Sequence, residues 1–174
     1  MTHRIALTGG IACGKSLLSR FLNELGIETL DADDMVHELV PEDERRQLAK
    51  VVFDDPAARK ALEARLHPLV KARIDDWLSS RSTALRIAVV PLLFEVHWDA
   101  DYDIIACVVS SMENQIGRMT TRRGYSREEA RARLAAQMDV EAKAAKSHYV
   151  IDNDGTPAEL RKRVEGFVTW LKER

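Results

Sequence analysis

Gly9-Gly10-Ile11-Ala12-Cys13-Gly14-Lys15-Ser16 is the stretch on which the reading of this sequence turns. It satisfies the phosphate-loop pattern G-x-x-x-x-G-K-[ST] at every position. The flanks agree with it. Arg4–Thr8 is a short apolar run, long enough for one buried strand, and Leu17, Leu18, Phe21, Leu22 and Leu25 recur at helical spacing. An ordinary glycine turn with a chance lysine has no reason to sit between a strand and a helix in this way.

The residue types follow from the charge to be held. Glycines let a loop wrap closely and aim its N–H groups at phosphates. A helix starting near Gly14 adds its partial positive end. Lys15 is expected to reach the outer phosphates of a nucleoside triphosphate, and the Ser16 hydroxyl to ligate Mg²⁺, which leaves a kinase, a GTPase and a motor ATPase open. Candidate nucleotide contacts in this stretch are Gly10, Ile11, Ala12, Cys13, Gly14, Lys15, Ser16 and Leu17. Cys13 lies at a helix N-terminus beside Lys15, where a thiol pKa tends to fall, so it is expected to be reactive and shielded by ATP. The alternative is that it fills a permissive loop position.

Outward from the loop, four more apolar runs read as strands: Ile27–Asp31, Leu85–Val90, Ile104–Val109 and Tyr149–Asp152. Helical patterns separate them, which predicts a three-layer α/β fold, a five-stranded parallel sheet with helices on both faces. Sites in such sheets lie at the carboxyl ends of the strands, so the polar residues just after each run matter most. After the second strand comes Asp31-Ala32-Asp33-Asp34. One of these carboxylates can orient Mg²⁺ through water and another can take a proton from an attacking hydroxyl. Equally, aspartates cap a helix N-terminus, and Met35–Val40 continues as a short helix.

Pro41 to Ser82 is helical and charged, long for a strand connection, and reads as an inserted substrate-binding subdomain. Pro56 is expected to start a helix capped by Asp54 or Asp55, with Ala61, Leu62, Leu66, Leu69, Val70, Ile74 and Trp77 as its apolar stripe. Pro68 is expected to kink or split that helix. The third strand leads to Pro91-Leu92-Leu93-Phe94-Glu95, with Glu95 at the rim of the site. The fourth leads into a helix carrying Arg118, Arg122 and Arg123, then Arg127, Arg131 and Arg133. Arginines near a phosphate loop can close over a transferring phosphoryl group; the last three read as a solvated face. Ser126 and Glu129 form a capping box, so Gly124-Tyr125 is a turn between two helices, the shape of a small lid. Thr156 and Glu159 cap the last helix, whose Val164, Phe167, Val168 and Leu171 face the core. Asp152 to Gly155 formally matches the D-x-x-G of a GTPase, but no N-K-x-D guanine motif accompanies it.

The 174 residues suffice for one domain with a real core. The divisions expected are a core of 1–33, 83–112 and 148–174, an insertion of about 34–82, and a lid of about 113–147. A net charge of −2 gives no global pull toward nucleic acid or an acidic membrane. Neither a secretory signal nor an apolar run of membrane-spanning length is visible. Cys13 and Cys107 are far apart in the sequence, which argues against a structural disulfide and for a reducing cytoplasm.

The combined motifs resemble the dephospho-CoA kinase family of P-loop kinases. The resemblance rests on Ala6-Leu7-Thr8-Gly9-Gly10-Ile11 through Ser16, Leu25-Gly26-Ile27, Asp31-Ala32-Asp33, His67-Pro68-Leu69-Val70 and Val89-Val90-Pro91-Leu92-Leu93-Phe94-Glu95. It continues in Gln115 with Arg118 and Arg122, in Ala135-Ala136-Gln137, and in Val150-Ile151-Asp152-Asn153 with Gly155. The resemblance implies transfer of phosphate from ATP to the ribose 3′-hydroxyl of dephospho-CoA by a monomer or weak homo-oligomer. Asp33 matches the base, Lys15 and Arg122 the other catalytic residues, and Ser16 with Asp31, through water, the Mg²⁺ site. Arg118 and Asn153 match ATP-binding positions, and His67, Pro68, Leu92 and Glu95, with Asp33, the acceptor side. The sequence departs from the family in two places. The stretch from Val40 to His67 is short, and Val140 and Lys143 stand where the family usually has arginines, with Arg133 or Lys146 as possible substitutes. A related nucleoside or nucleotide kinase with another acceptor, or a nucleotide binder with weak catalysis, are the alternatives these departures leave.

Overall fold

Every residue of Ile5-Ala6-Leu7-Thr8-Gly9 is buried, so this strand is covered on both faces. In the computed structural model, which describes residues 3–40, 55–80 and 85–174, it is the central strand β1 (Ile5–Gly9) of a parallel sheet. The others are β2 (Glu28–Asp31), β3 (Arg86–Val89), β4 (Ile104–Val109) and β5 (Tyr149–Asp152), in the order β2-β3-β1-β4-β5. β4 and β5 have the bounds expected from the sequence, β1 starts and ends one residue later than expected, β2 starts one residue later, and β3 is one residue shorter at each end. The helices are α1 (Lys15–Glu24), α2 (Ala32–Leu39), α3 (Pro56–Ser79), α4 (Met112–Arg123), α5 (Arg127–Ala135), α6 (Val140–Ala145) and α7 (Pro157–Lys172).

Side chains alternate across a strand, and the two faces of β1 feed two cores. Ile5 and Leu7, with Ile87, Val89, Ile104, Ala106 and Val108, pack against Leu18, Phe21 and Leu22 of α1 and Leu160, Val164, Phe167 and Leu171 of α7. Ala6, Ala88, Val90 and Ile105 form the other face, against Met35 of α2 and Val70 and Ile74 of α3. The result is the three-layer α/β architecture read from the sequence.

α3 departs from its expected break. It is capped by Asp55, whose carboxylate accepts from the Ala57 and Ala58 N–H groups, and it runs unbroken through Pro68 for 24 residues. An internal proline removes one backbone bond and costs about 3 kcal/mol. Leu66 before it and Val70 and Ile74 after it are all buried, so packing on the sheet holds both halves in one helix. The stripe is narrower than expected: Leu69 is 50% exposed and Ala61 lies at the surface. At the end of the sheet remote from the strand carboxyl ends, Lys71 binds Asp75 at 2.9 Å and Asp101 at 3.1 Å, and Arg4 pairs with Asp75. Residues 41–54 and 81–82 of the expected insertion, and with them most of the shortened stretch, lie outside the described residues. No helix among the described residues is long and apolar enough to cross a membrane.

Candidate active site

The parallel register brings the strand carboxyl ends level. Asp31 pairs with Val89, Leu7 with the same Val89, Gly9 with Val108, and Val109 with Asp152. The loops that follow enclose a cleft of about 490 Å³. Ile11, Ala12, Gly14, Lys15, Ser16 and Leu17 contribute from the loop and α1, Asp31 and Asp33 from the end of β2, and Arg118, Arg122 and Arg123 from α4. Pro91, Gln137, Asn153, Gly155 and Pro157 complete it. Every expected catalytic and metal residue therefore reaches one cavity. Pro91, Gln137, Gly155 and Pro157 line the cleft without being site residues in the sequence reading; Gly155 follows a strand end, and that alone could mark it.

The loop is tightly folded. Gly9 has φ +150°, and a Cβ there would run into the Val108 carbonyl. Gly14, at φ +99°, caps α1 in the left-handed region that glycine tolerates. Lys15 Nζ donates to the Gly9 and Gly10 carbonyls at 3.0 and 2.9 Å, and burial lowers its pKa from the ordinary value. Cys13 does not have the exposed, low-pKa thiol expected of it. It is fully buried, and desolvation raises its pKa against the opposing pull of Lys15. Cys13 and Cys107 are both free thiols.

The capping reading of the aspartate cluster holds for Asp31. Its carboxylate caps α2 by accepting the Asp33 N–H at 2.9 Å, and it also faces the cleft. Burial pushes the Asp31 carboxyl up; the Asp33 N–H opposes this, and the charges of Asp33 and Asp34 reinforce it. The Asp31 carboxylate and the Ser16 hydroxyl both line the cleft and are oxygen donors of the kind a hard cation takes. Asp33, the second residue of α2, is exposed and lines the cleft.

The arginines of α4 divide into two kinds. Arg118 is fixed: it donates to Ala12 O at 3.0 Å, Ser110 Oγ at 3.1 Å and Asn153 O at 2.5 Å. Arg122 and Arg123 are exposed at the mouth of the cleft. Gly124 (φ +69°) ends α4, and the expected capping box of Ser126 and Glu129 starts α5. Arg127 pairs with Glu113 at 2.8 Å, Arg133 covers the Tyr125 ring at 4.3 Å, and Lys146 covers the Phe94 ring at 5.6 Å. Neither Arg133 nor Lys146 lines the cleft, so neither stands in for an absent lid charge.

Lys143 is not a lid charge either. It is fully buried, with Nζ 2.8 Å from Glu95 Oε1 and 2.7 Å from the Pro91 carbonyl. α6, which carries it, packs on β1 and β4 and so lies with the core rather than with α5. Glu95 is accordingly not at the rim: Oε1 also accepts the Met138 N–H at 3.1 Å, and Oε2 is buried without a partner among the described residues. His67 packs edge-on against Trp98, with ring centroids 5.9 Å apart. His67, Pro68, Leu92 and Glu95 contribute nothing to the cleft wall, so of the acceptor-side residues named from the sequence only Asp33 does.

A family model described as dephospho-CoA kinase matches residues 3–44 and 42–159. A dephospho-CoA kinase of Geobacter sulfurreducens is 39% identical over 97% of this chain and 97% of its own, in an alignment of 197 residues that exceeds the length of this chain. One from Symbiobacterium thermophilum is 39% identical over 92% of this chain and 78% of its own. Among solved structures, TT1252 from Thermus thermophilus superposes with a TM-score of 0.79 at 33% identity, covering 98% of each chain. A shikimate kinase from Acinetobacter baumannii, at 18% identity and a TM-score of 0.61 over 99% of this chain and 94% of its own, shares the fold. By the family model and by its relatives over nearly their whole length, the chain belongs to the dephospho-CoA kinase family.

Proposed function

We propose that this chain is a dephospho-CoA kinase, transferring the γ-phosphoryl group of ATP to the ribose 3′-hydroxyl of dephospho-CoA to give coenzyme A, the last step of coenzyme A biosynthesis. The observation that carries the mechanism is the placing of Asp33 across one cleft from Lys15 and Ser16, with Arg122 at its mouth. The loop and Lys15 hold the phosphates of ATP. Lys15 leaves the Gly9 and Gly10 carbonyls for the outer phosphates, where its charge counters the charge that builds in the transition state. Asp33 accepts a hydrogen bond from the 3′-hydroxyl and takes its proton as the bond to phosphorus forms. Arg122 neutralises charge on the transferring group from the lid formed by the outer part of α4 and α5. Ser16, with Asp31 through water, would hold Mg²⁺, which would supply Lewis-acid withdrawal of charge from the phosphates when bound. The reaction belongs to the cytoplasm.

ADP release measured with dephospho-CoA, adenosine, AMP and other hydroxyl acceptors tests the reading. Release that depends on dephospho-CoA, with a product carrying one added phosphate, supports it. Turnover with another acceptor alone would replace it with the related-kinase reading, which the shortened stretch before His67 favours.

A further inference from the structure

Three successive carbonyls of the phosphate loop are held from behind by three side chains. Gln115 Nε2 donates to Ile11 O at 2.8 Å, Arg118 to Ala12 O at 3.0 Å, and Asn153 Nδ2 to Cys13 O at 2.7 Å. Gln115 and Asn153 are themselves buried, at 3% and 5% exposure. A trans peptide points its N–H opposite its C=O. Pinning the Ile11 and Cys13 carbonyls therefore turns the N–H groups of Ala12 and Gly14 the other way, and both of these residues line the cleft. Ala12 lies between the pins at φ +57°, a left-handed conformation that a residue with a Cβ adopts at a cost. Strain of that kind persists only where the surroundings impose it.

The same amides crowd two glycines of the loop, Gly10 at a variable position of the motif and Gly14 at a fixed one. A Cβ on Gly10 would lie 2.7 Å from Gln115 Nε2 and 3.1 Å from Cys13 Sγ, and one on Gly14 would run into Asn153 Nδ2. Gly10 is not among the residues with positive φ, so at this position the crowding is the argument, not the backbone angle.

We propose that Gln115, together with Asn153, is a positioning residue that sets the peptide planes of the phosphate loop, and that Gly10 is glycine because the Gln115 amide fills the space a side chain would need. This rests on the reading of the loop as the nucleotide site but not on the identity of the acceptor. A structural glutamine would affect stability alone; a positioning one affects phosphate affinity in a folded protein and is coupled to Gly10.

The test is calorimetric binding of ATP and of inorganic tripolyphosphate, without acceptor, to Gln115→Met, Gln115→Ala, Gly10→Ala and the double variant Gly10→Ala/Gln115→Ala. Circular dichroism and Tm are measured on each. Gln115→Met should weaken ATP and tripolyphosphate by the same factor, about tenfold, as expected for leaving a buried carbonyl unpaired. Gly10→Ala should weaken both in the native background and weaken them less in the Gln115→Ala background, because the shortest contact is then gone and only the 3.1 Å approach to Cys13 Sγ remains. Wild-type affinity in folded Gln115→Met, loss for ATP but not tripolyphosphate, or full additivity of the pair would each overturn the proposal. If the Gln115 variants do not fold, Gly10→Ala decides alone, and unchanged ATP affinity overturns it. Wild-type protein that binds ATP but leaves dephospho-CoA unmodified would defeat the kinase reading and leave this inference standing.

Discussion

Asp31 and Asp33 are two residues apart, yet the fold gives them unlike surroundings. Asp31 is partly buried, caps α2 and has a raised pKa, whereas Asp33 is exposed to the cleft. Asp33→Asn should lower kcat by about 10²–10⁴-fold, the range for loss of a general base, with little change in ATP affinity. Asp31→Asn should show a defect that eases as Mg²⁺ is raised. A Mg²⁺ titration of kcat for both variants checks the assignment, and recovery of Asp33→Asn alone would reverse it. Cys13 shows how a sequence rule is overruled by packing. Proximity to Lys15 and a helix N-terminus favours the thiolate, but Cys13 is sealed beneath Gln115 and burial outweighs both. Iodoacetamide at neutral pH should leave Cys13 and Cys107 unlabelled until the protein is denatured; burial pushes the Cys107 thiol up to about 12. Stoichiometric labelling of native Cys13, read by mass spectrometry, would contradict this.

Elements were legible where their signals are local and obscure where distant side chains decide. Capping boxes at Ser126 and Thr156, the Asp55 cap and the strand spans need only neighbours in sequence, and all of them are present. The continuity of α3 through Pro68 depends on packing against the sheet, and the Glu95–Lys143 pair joins the loop after β3 to α6. No local pattern reports either. With Lys143 fully buried, removing one partner leaves an uncompensated charge, so Lys143→Met should destabilise the protein by about 3–5 kcal/mol. Lys143→Met/Glu95→Leu should regain part of the loss in urea denaturation; equal stability of single variant and wild type would show the pair to be dispensable. Asp154 ties the start of α4 to the loop after β5, accepting from Ser110 Oγ, the Ser111 N–H and Asn114 Nδ2. Burial pushes its carboxyl up, but those hydrogen bonds outweigh it and hold the pKa at about 2. Because the folded pKa is depressed, the stabilisation is complete above the unfolded value and is lost as pH falls through about 4 toward 2. The Tm gap between wild type and Asp154→Asn should therefore be constant from neutral pH down to about 5 and close at lower pH; a gap that stays constant across that range would refute the linkage.

At the scale of the whole molecule, alternation of strands and helices established a parallel sheet but not its order, since nothing in the sequence places β3 between β1 and β2. That order matters because the cleft gathers residues from segments that are otherwise independent: the loop after β1, the end of β2, α4 on the far side, and the loop after β5. Unfolding any of these layers dismantles the ATP site, so ATP·Mg²⁺ should bind the native state and not the unfolded chain. Mass action then stabilises the fold by RT ln(1 + [L]/Kd), about 2.7 kcal/mol when ligand exceeds Kd a hundredfold. For a domain of this size each kcal/mol moves Tm by about 2–4 °C, so saturating ATP·Mg²⁺ should raise it by about 5–10 °C. Lys15→Ala should abolish most of that rise while keeping the ligand-free Tm near wild type, because its ammonium serves the phosphates rather than the core. It should also cut phosphoryl transfer by about 10²–10³-fold, the loss typical of one preorganised charge-stabilising group. Differential scanning fluorimetry with and without nucleotide measures the first effect and the ADP-release assay the second. A full ATP-dependent shift in Lys15→Ala with kcat near wild type would remove Lys15 from the mechanism, and no shift in the wild type at millimolar ATP would remove the nucleotide site itself.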